Sequence, residues 1–312
     1  MRLSSRHLLS INDLSKEDVL TILQTASSFK EISERTIKKV PTLRGRTIVN
    51  CFFENSTRTR MSFEIAQKRL SADTVNFSSS TSALSKGESL LDTALNIQAM
   101  HPDILIIRHF QSGAPYQISK HVKAHVINAG DGMHEHPTQA LLDLMTIQET
   151  KGCLSGLKVG ICGDIAHSRV ARSDMLLFKK MGLDVTLIAP PTLIPPHVNR
   201  YGVDVTYSLD DVIKDLDVLM LLRIQKERAA QFMIPNLREY AIHFGVGMNK
   251  LKNAKEGLTI MHPGPVNRGI ELSPEVADSS RSVILNQVTN GVSIRMAIMY
   301  LLLSDEKEES LP

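Results

Sequence analysis

Between residues 46 and 261, short apolar runs alternate with amphipathic segments of helical period, and that alternation leaves few folds open. The runs span 46–53, 74–77, 103–109 and 125–129 in the first half of the chain. In the second half they span 158–162, 184–188, 203–207, 218–222 and 258–261. The first is short, β-branched and aromatic, as buried strands are, and the others are likewise short. Between them, apolar residues recur at helical spacing: Met61, Phe63, Ile65, Ala66 and Leu70, then Leu91, Ala94, Leu95 and Ile97. A further helix precedes the first strand, with Ser15 as its cap and Val19, Ile22, Leu23 and Ala26 as its apolar face. Parallel neighbours need a long crossover, which a helix supplies, so the pattern predicts doubly wound parallel α/β sheets. The segment 151–156, Lys-Gly-Cys-Leu-Ser-Gly, interrupts it. Two domains are therefore expected, 1–150 and 151–288, with a mostly apolar helix over 289–304 returning to the first.

One strand-to-helix turn concentrates chemistry. Ser56-Thr57-Arg58-Thr59-Arg60 follows the first strand and opens the helix after it. The first turn of a helix offers free backbone N–H groups and the positive end of the dipole. Hydroxyls and guanidinium groups at the same place suit a phosphate or another dianion. The plainer alternative is that Ser56 or Thr57 only caps the helix and the arginines are solvated. Two arginines in a first turn oppose the dipole, which speaks against a cap alone.

The other notable polar residues also fall where strands end, and in open α/β sheets ligands bind beyond the carboxyl ends of the strands. Arg108 closes one run, and His136 and Gln139 follow another. In the second half Arg169, Arg223 and Gln225, and the turn His262-Pro263-Gly264-Pro265 sit in the corresponding places. Two sheets with such ends facing each other would enclose a cleft, and the active site is expected there. Arg108 lies in an apolar run and needs an anionic or carbonyl partner. His136 stands just before Pro137, where an imidazole can polarise a carbonyl. Arg169 and Arg223 are open to two readings, domain salt bridges or the grip on a substrate with two carboxylates. Lys86, in a polar loop, reads by itself as a solubilising charge.

Several function classes are disfavoured. Gly160-Ile-Cys-Gly163 has G-x-x-G rather than G-x-G-x-x-G spacing, and the next strand ends in Ala189-Pro190-Pro191 with no acid for a ribose hydroxyl. No G-x-x-x-x-G-K-[ST] occurs. His134-Glu135-His136 lacks a third ligand at a familiar metal spacing. A net charge of +3 calls for no nucleic acid and is compatible with a basic site for an acidic substrate. The three cysteines, Cys51, Cys153 and Cys162, have no paired spacing, so a reducing cytoplasm is expected and no disulfide framework. No signal peptide and no membrane span are expected.

Taken together, Ser56-Thr57-Arg58-Thr59-Arg60, His136-Pro137-Thr138-Gln139 and the loop Ser82-Ala-Leu-Ser-Lys86-Gly-Glu88 resemble the aspartate/ornithine carbamoyltransferase family. Arg223-Ile-Gln225-Lys-Glu-Arg228 and the segment from Met261 to Gly269 resemble its aspartate branch. The His-Cys-Leu-Pro and Asp-x-x-x-Ser-Met-Gly segments of the ornithine branch do not occur. The resemblance spans essentially the whole chain. It implies transfer of the carbamoyl group of carbamoyl phosphate to the α-amine of L-aspartate, a committed step of pyrimidine synthesis. It implies that Ser56, Thr57, Arg58 and Thr59 hold the phosphate, and that Thr59, Arg108 and His136 bind the carbamoyl oxygen. Gln139 and the backbone carbonyls of Gly264 and Pro265 would accept from the carbamoyl amide. Arg169, Arg223, Gln225 and Lys86 would grip the two carboxylates of aspartate. It further implies a homotrimer in which Ser82 and Lys86 are lent to a neighbour's site, no metal or organic cofactor, and no nucleic-acid or membrane partner. A regulatory chain or a dihydroorotase-like partner is compatible with it. One departure is Gly264, where some family members carry Leu.

Overall fold

A computed structural model of the chain describes residues 3–78, 88–224 and 236–304. In chain order the elements are α1 (Lys16–Glu34), β1 (Thr47–Phe52), α2 (Thr57–Arg69), β2 (Asp73–Ser78), α3 (Leu90–Gln98), β3 (Ile104–His109), α4 (Ala114–Ser119), β4 (His125–Asp131) and α5 (Pro137–Lys151). They continue with β5 (Lys158–Cys162), α6 (Arg169–Lys180), β6 (Asp184–Ile188), β7 (Asp204–Thr206), α7 (Leu209–Val212), β8 (Val218–Leu221), α8 (Leu237–Phe244), α9 (Met248–Leu251), β9 (Thr259–Met261), α10 (Pro274–Ala277) and α11 (Ile284–Leu303). The chain divides into two compact units, residues 1–141 with 289–312, and residues 142–288.

The first unit holds a four-stranded sheet in the order β2-β1-β3-β4, every pair parallel. Strand alternation sends successive side chains of β1 to opposite faces. Val49 and Cys51 join Leu105, Ile107 and Val126 in a cluster that also takes Ala94 and Ile97 of α3 and Ile118 of α4. Asn50, between them, exchanges two amide hydrogen bonds with Gln67 of α2, at 3.1 and 2.8 Å. Helices therefore cover both faces, as the doubly wound pattern predicted. Ser15 caps α1 by accepting from Asp18 N at 3.0 Å, and Asp18 accepts in return from Ser15 N at 2.9 Å.

The C-terminal helix does return to the first unit. Tyr300 of α11 meets Phe29 of α1 edge-on at 5.7 Å. Arg295 of the same helix lies over the Phe63 ring at 4.9 Å and donates to Ser62 Oγ of α2 at 2.9 Å. The helix begins at Ile284, several residues before the apolar stretch from which it was predicted.

The second unit holds a five-stranded parallel sheet in the order β7-β6-β5-β8-β9. In both sheets the chain starts in the middle, adds strands to one side, and then crosses to the other. Each sheet thus has a topological switch point, between β1 and β3 in the first and between β5 and β8 in the second.

Candidate active site

The turn after β1 stands at the switch point of the first sheet. Phe53 N donates to Arg108 O at 2.8 Å, which keeps the carboxyl ends of β1 and β3 side by side. Ser56 is the N-cap of α2, yet its hydroxyl makes no capping bond. The plain-cap reading of this residue therefore has no hydrogen bond behind it. The first turn of α2 holds no acidic residue. Asn55, Thr57 and Arg58 are exposed, whereas Thr59 is buried. The two arginines differ: Arg60 Nε pairs with Glu64 Oε1 one turn along at 3.3 Å, so it serves the helix surface. Arg58 stands two residues nearer the helix start.

Arg108 is the next-to-last residue of β3, and its guanidinium reaches two acceptors. Nη2 donates to Glu54 Oε1 at 2.8 Å and Nη1 to Ala129 O at 3.1 Å. His136 directly precedes Pro137, the first residue of α5, and is buried. Its carbonyl accepts from Gln139 N at 2.9 Å, and Thr138 Oγ1 lies 3.4 Å from its Nδ1. The turn from Ser56 to Thr59, Arg108, and the His136–Gln139 segment thus follow three contiguous strands, β1, β3 and β4, at their carboxyl ends.

His134 and Glu135 are engaged elsewhere. His134 Nδ1 lies 3.1 Å from Asp131 Oδ2. The Glu135 carboxylate accepts from Ser10 Oγ at 2.6 Å and from Ile11 N at 2.8 Å. Among the described residues no group of three or more His, Cys, Asp or Glu is placed to hold a metal ion.

The second sheet repeats the arrangement. Leu222 N donates to Cys162 O at 2.8 Å, holding the ends of β5 and β8 together. A Cβ built on Gly163, whose φ is +139°, would lie 2.6 Å from Leu222 O. Close strand packing is the reason for the glycine in the false dinucleotide motif. Arg169 is the first residue of α6, buried, behind the Ser168 cap that accepts from Ala171 N at 3.1 Å. Arg223 follows β8 and is partly buried. The next residue is anchored: Ile224 N donates to Glu271 Oε1 at 2.9 Å, and the same carboxyl accepts from Asn267 N at 2.9 Å. Burial raises the pKa of Glu271, and these hydrogen bonds oppose the rise.

After β9, Gly264 N donates to His262 Nδ1 at 2.7 Å. Gly264 has φ +67°, a conformation that a side chain rarely adopts, which accounts for glycine at this departure from the family pattern. Arg169, Arg223 and the 262–265 turn again follow three contiguous strands, β5, β8 and β9. Ser82, Lys86 and Gln225 lie outside the described residues. Four polar residues of these surroundings stand outside the motifs of the sequence: Glu54, Asp164, Glu271 and Gln287. Glu54 had a signal, since it stands between the strand and the anion turn. The other three are tied to groups distant in the chain or to a neighbour such as His167, whose Nδ1 is 2.7 Å from Asp164 Oδ1.

Both halves of the chain match known domains. Residues 6–149 match the aspartate/ornithine carbamoyltransferase, carbamoyl-P binding domain. Residues 155–302 match the Asp/Orn binding domain of the same enzymes. The chain belongs to the aspartate/ornithine carbamoyltransferase family. Within the family it is similar to the aspartate carbamoyltransferase catalytic subunit of Desulfosudis oleivorans, 56% identical over 99% of each chain. It is 58% identical to that of Desulfotalea psychrophila, over 96% of this chain and 94% of the relative. Among solved structures it resembles the catalytic subunit of M. jannaschii aspartate transcarbamoylase, with 34% identity and a TM-score of 0.86 over 98% of this chain and 100% of that one. It also resembles aspartate transcarbamoylase from Trypanosoma cruzi in complex with carbamoyl phosphate and aspartate. There the identity is 31% and the TM-score 0.87, over 96% of this chain and 97% of that one. The two family domains fall on the two parallel sheets, so each switch point belongs to one substrate-binding domain.

Proposed function

We infer that the chain carries aspartate carbamoyltransferase activity, converting carbamoyl phosphate and L-aspartate to N-carbamoyl-L-aspartate and phosphate in pyrimidine synthesis. The observation that carries this reading is the first switch point, in a chain whose halves match a carbamoyl-phosphate domain and an Asp/Orn domain. The Ser56–Thr59 turn and Arg108 flank that point on adjacent strands.

In this reading Ser56, Thr57, Arg58 and Thr59 hold the phosphate at the α2 N-terminus. Thr59, Arg108 and His136 take the carbamoyl oxygen and stabilise the oxyanion that forms on it. Gln139 and the carbonyls of Gly264 and Pro265 accept from the carbamoyl NH2. Arg169, Arg223, Gln225 and Lys86 bind the two carboxylates of aspartate, a cationic set that favours a dicarboxylate over the diamino acid ornithine. The uncharged α-amine attacks the carbonyl carbon and the C–O bond to phosphate breaks. The leaving phosphate can accept the amine proton, so no side-chain base is required. Alignment of two bound reactants supplies up to about 7–11 kcal/mol of the barrier reduction.

The reading takes the protein as a cytoplasmic homotrimer, with Ser82 and Lys86 lent across subunits. Among the described residues no helix is long and apolar enough to cross a membrane. The test is a side-by-side assay of carbamoyl phosphate with L-aspartate and with ornithine. Product from aspartate is expected; a preference for ornithine, or no product from either, overturns the assignment.

A further inference from the structure

Away from the proposed substrate contacts, the second unit buries two carboxyl groups that the chemistry above does not use. Asp143 of α5 and Asp174 of α6 both have no solvent exposure. Among the described residues no donor hydrogen-bonds either oxygen of Asp174. The neighbouring charge it senses is Asp143, and burial together with that carboxyl pushes Asp174 well above the usual carboxylate range. Two ionised carboxylates side by side in a dry interior repel and lack solvation. Retaining one proton removes one charge and turns the contact into a hydrogen bond, with Asp174 as donor and Asp143 as acceptor.

The remaining charge has a structural consequence. Gln287 Nε2 donates to Asp143 Oδ1 at 2.7 Å, and Gln287 Oε1 accepts from His262 N at 2.9 Å. A primary amide can present either end to a neighbour. An anionic Asp143 admits only the NH2 end, so the carbonyl end must face the other way, toward the His262 N–H. Were the amide reversed, two donors would meet at His262 and the buried N–H would lose its partner. The His262 ring in turn accepts from Gly264 N at 2.7 Å.

We propose that Asp174 and Asp143 share one proton, and that this dyad, acting through Gln287, positions the His262 amide and with it the 262–265 turn. Asp143, Asp174 and Gln287 are positioning residues. They set the backbone whose carbonyls, at Gly264 and Pro265, receive the carbamoyl amide. The kinetic consequence rests on the function proposed above, but the shared proton and the fixed amide do not.

Three readouts test it on the full-length protein. Infrared difference spectra between wild type and Asp174→Asn should show a protonated-carboxyl band at neutral pH in the wild type alone; absence of that band overturns the shared proton. Hydrogen exchange at the His262 amide should speed about tenfold in Gln287→Met, which loses the amide acceptor. It should stay unchanged in Asp174→Asn, whose amide can still donate to Asp143. Equal exchange in wild type and Gln287→Met overturns the positioning role, as does an Asp174→Asn rate matching Gln287→Met. In assays, Gln287→Met should raise the KM for carbamoyl phosphate about tenfold and that for aspartate less than about twofold. Equal effects on both overturn the link to the carbamoyl amide. If wild type turns over neither substrate pair, the proposed function fails, and the spectra and exchange rates still decide the dyad.

Discussion

Arg108 Nη2 lies 2.8 Å from Glu54 Oε1, while its Nη1 reaches Ala129 O at 3.1 Å, so two acceptors fix the guanidinium plane at the end of β3. With side-chain exposures of 12% and 21%, the pair is shielded enough for its geometry to persist. A preset guanidinium binds a carbamoyl oxygen without first giving up rotamer entropy. Glu54→Ala should lower kcat about tenfold and destabilise the protein by roughly 1–3 kcal/mol, the cost of leaving a mostly buried charge without its partner. Steady-state kinetics and denaturant melts check this; unchanged kcat would show that Arg108 needs no preset orientation.

Arg58 is exposed in the first turn of α2, beside a Ser56 hydroxyl with no capping duty. Arg58→Ala should cut kcat/KM for carbamoyl phosphate about a thousandfold or more, through loss of a charge-assisted phosphate contact. Stability should move by less than about 0.5 kcal/mol, as for other exposed positions. Near-normal turnover in a folded variant would remove the phosphate role.

Arg223 stands one residue before Ile224, whose amide is pinned to Glu271 at 2.9 Å. Arg223→Ala should raise the KM for aspartate by about a hundredfold while changing that for carbamoyl phosphate far less. Titrating each substrate at saturation of the other separates the two, and equal shifts would argue against a carboxylate contact.

Lys86 tests the proposed sharing of sites between subunits. Lys86→Ala and Arg58→Ala should each be inactive alone. After subunit exchange between them, mixed trimers should contain some sites with every wild-type residue, and activity should reappear. No recovery under conditions where exchange is verified would place Lys86 in its own subunit's site.

His7 gives the stability profile an acid edge. Its Nδ1 accepts from Val126 N at 3.0 Å. Burial, then Arg6 and His125, lower its pKa from 6.5 to about 4. The unfolded chain therefore binds this proton first, so the stabilisation is complete above pH 6.5 and is lost as pH falls toward about 4. Asp18, whose pKa is lowered from 3.8 by its Ser4 and Ser15 hydrogen bonds despite burial, acts only at lower pH. His109 is lowered by burial and acts in the same direction as His7. Melting temperatures of wild type and His7→Phe should therefore converge as pH drops through this window; parallel curves would exclude His7 from the edge.

Much of this was legible in local sequence. Short apolar runs and period-3.6 patterns are properties of neighbouring residues, so the strands β1 to β9 and the helices α1, α2, α3 and α11 were placed, whereas α6 to α10 were not, and Ser15 capped α1 as expected. The Ser56–Thr59 turn was legible for the same reason, since its chemistry depends on a helix start that adjacent residues define. A boundary slipped where packing extends an element: α11 begins at Ile284, several residues before the apolar stretch at 289. What the residues alone determined, then, was the alternation of elements and the kind of group standing at each strand end. The tertiary structure alone decided which strand ends are neighbours. The orders β2-β1-β3-β4 and β7-β6-β5-β8-β9 arise from hydrogen bonds between segments far apart in the chain. It also decided that Arg60 serves Glu64, that Glu54 orients Arg108, and that Gln287 joins Asp143 to His262. Such partners are set by three-dimensional proximity and by the need to satisfy polar groups away from water, and no local pattern encodes them.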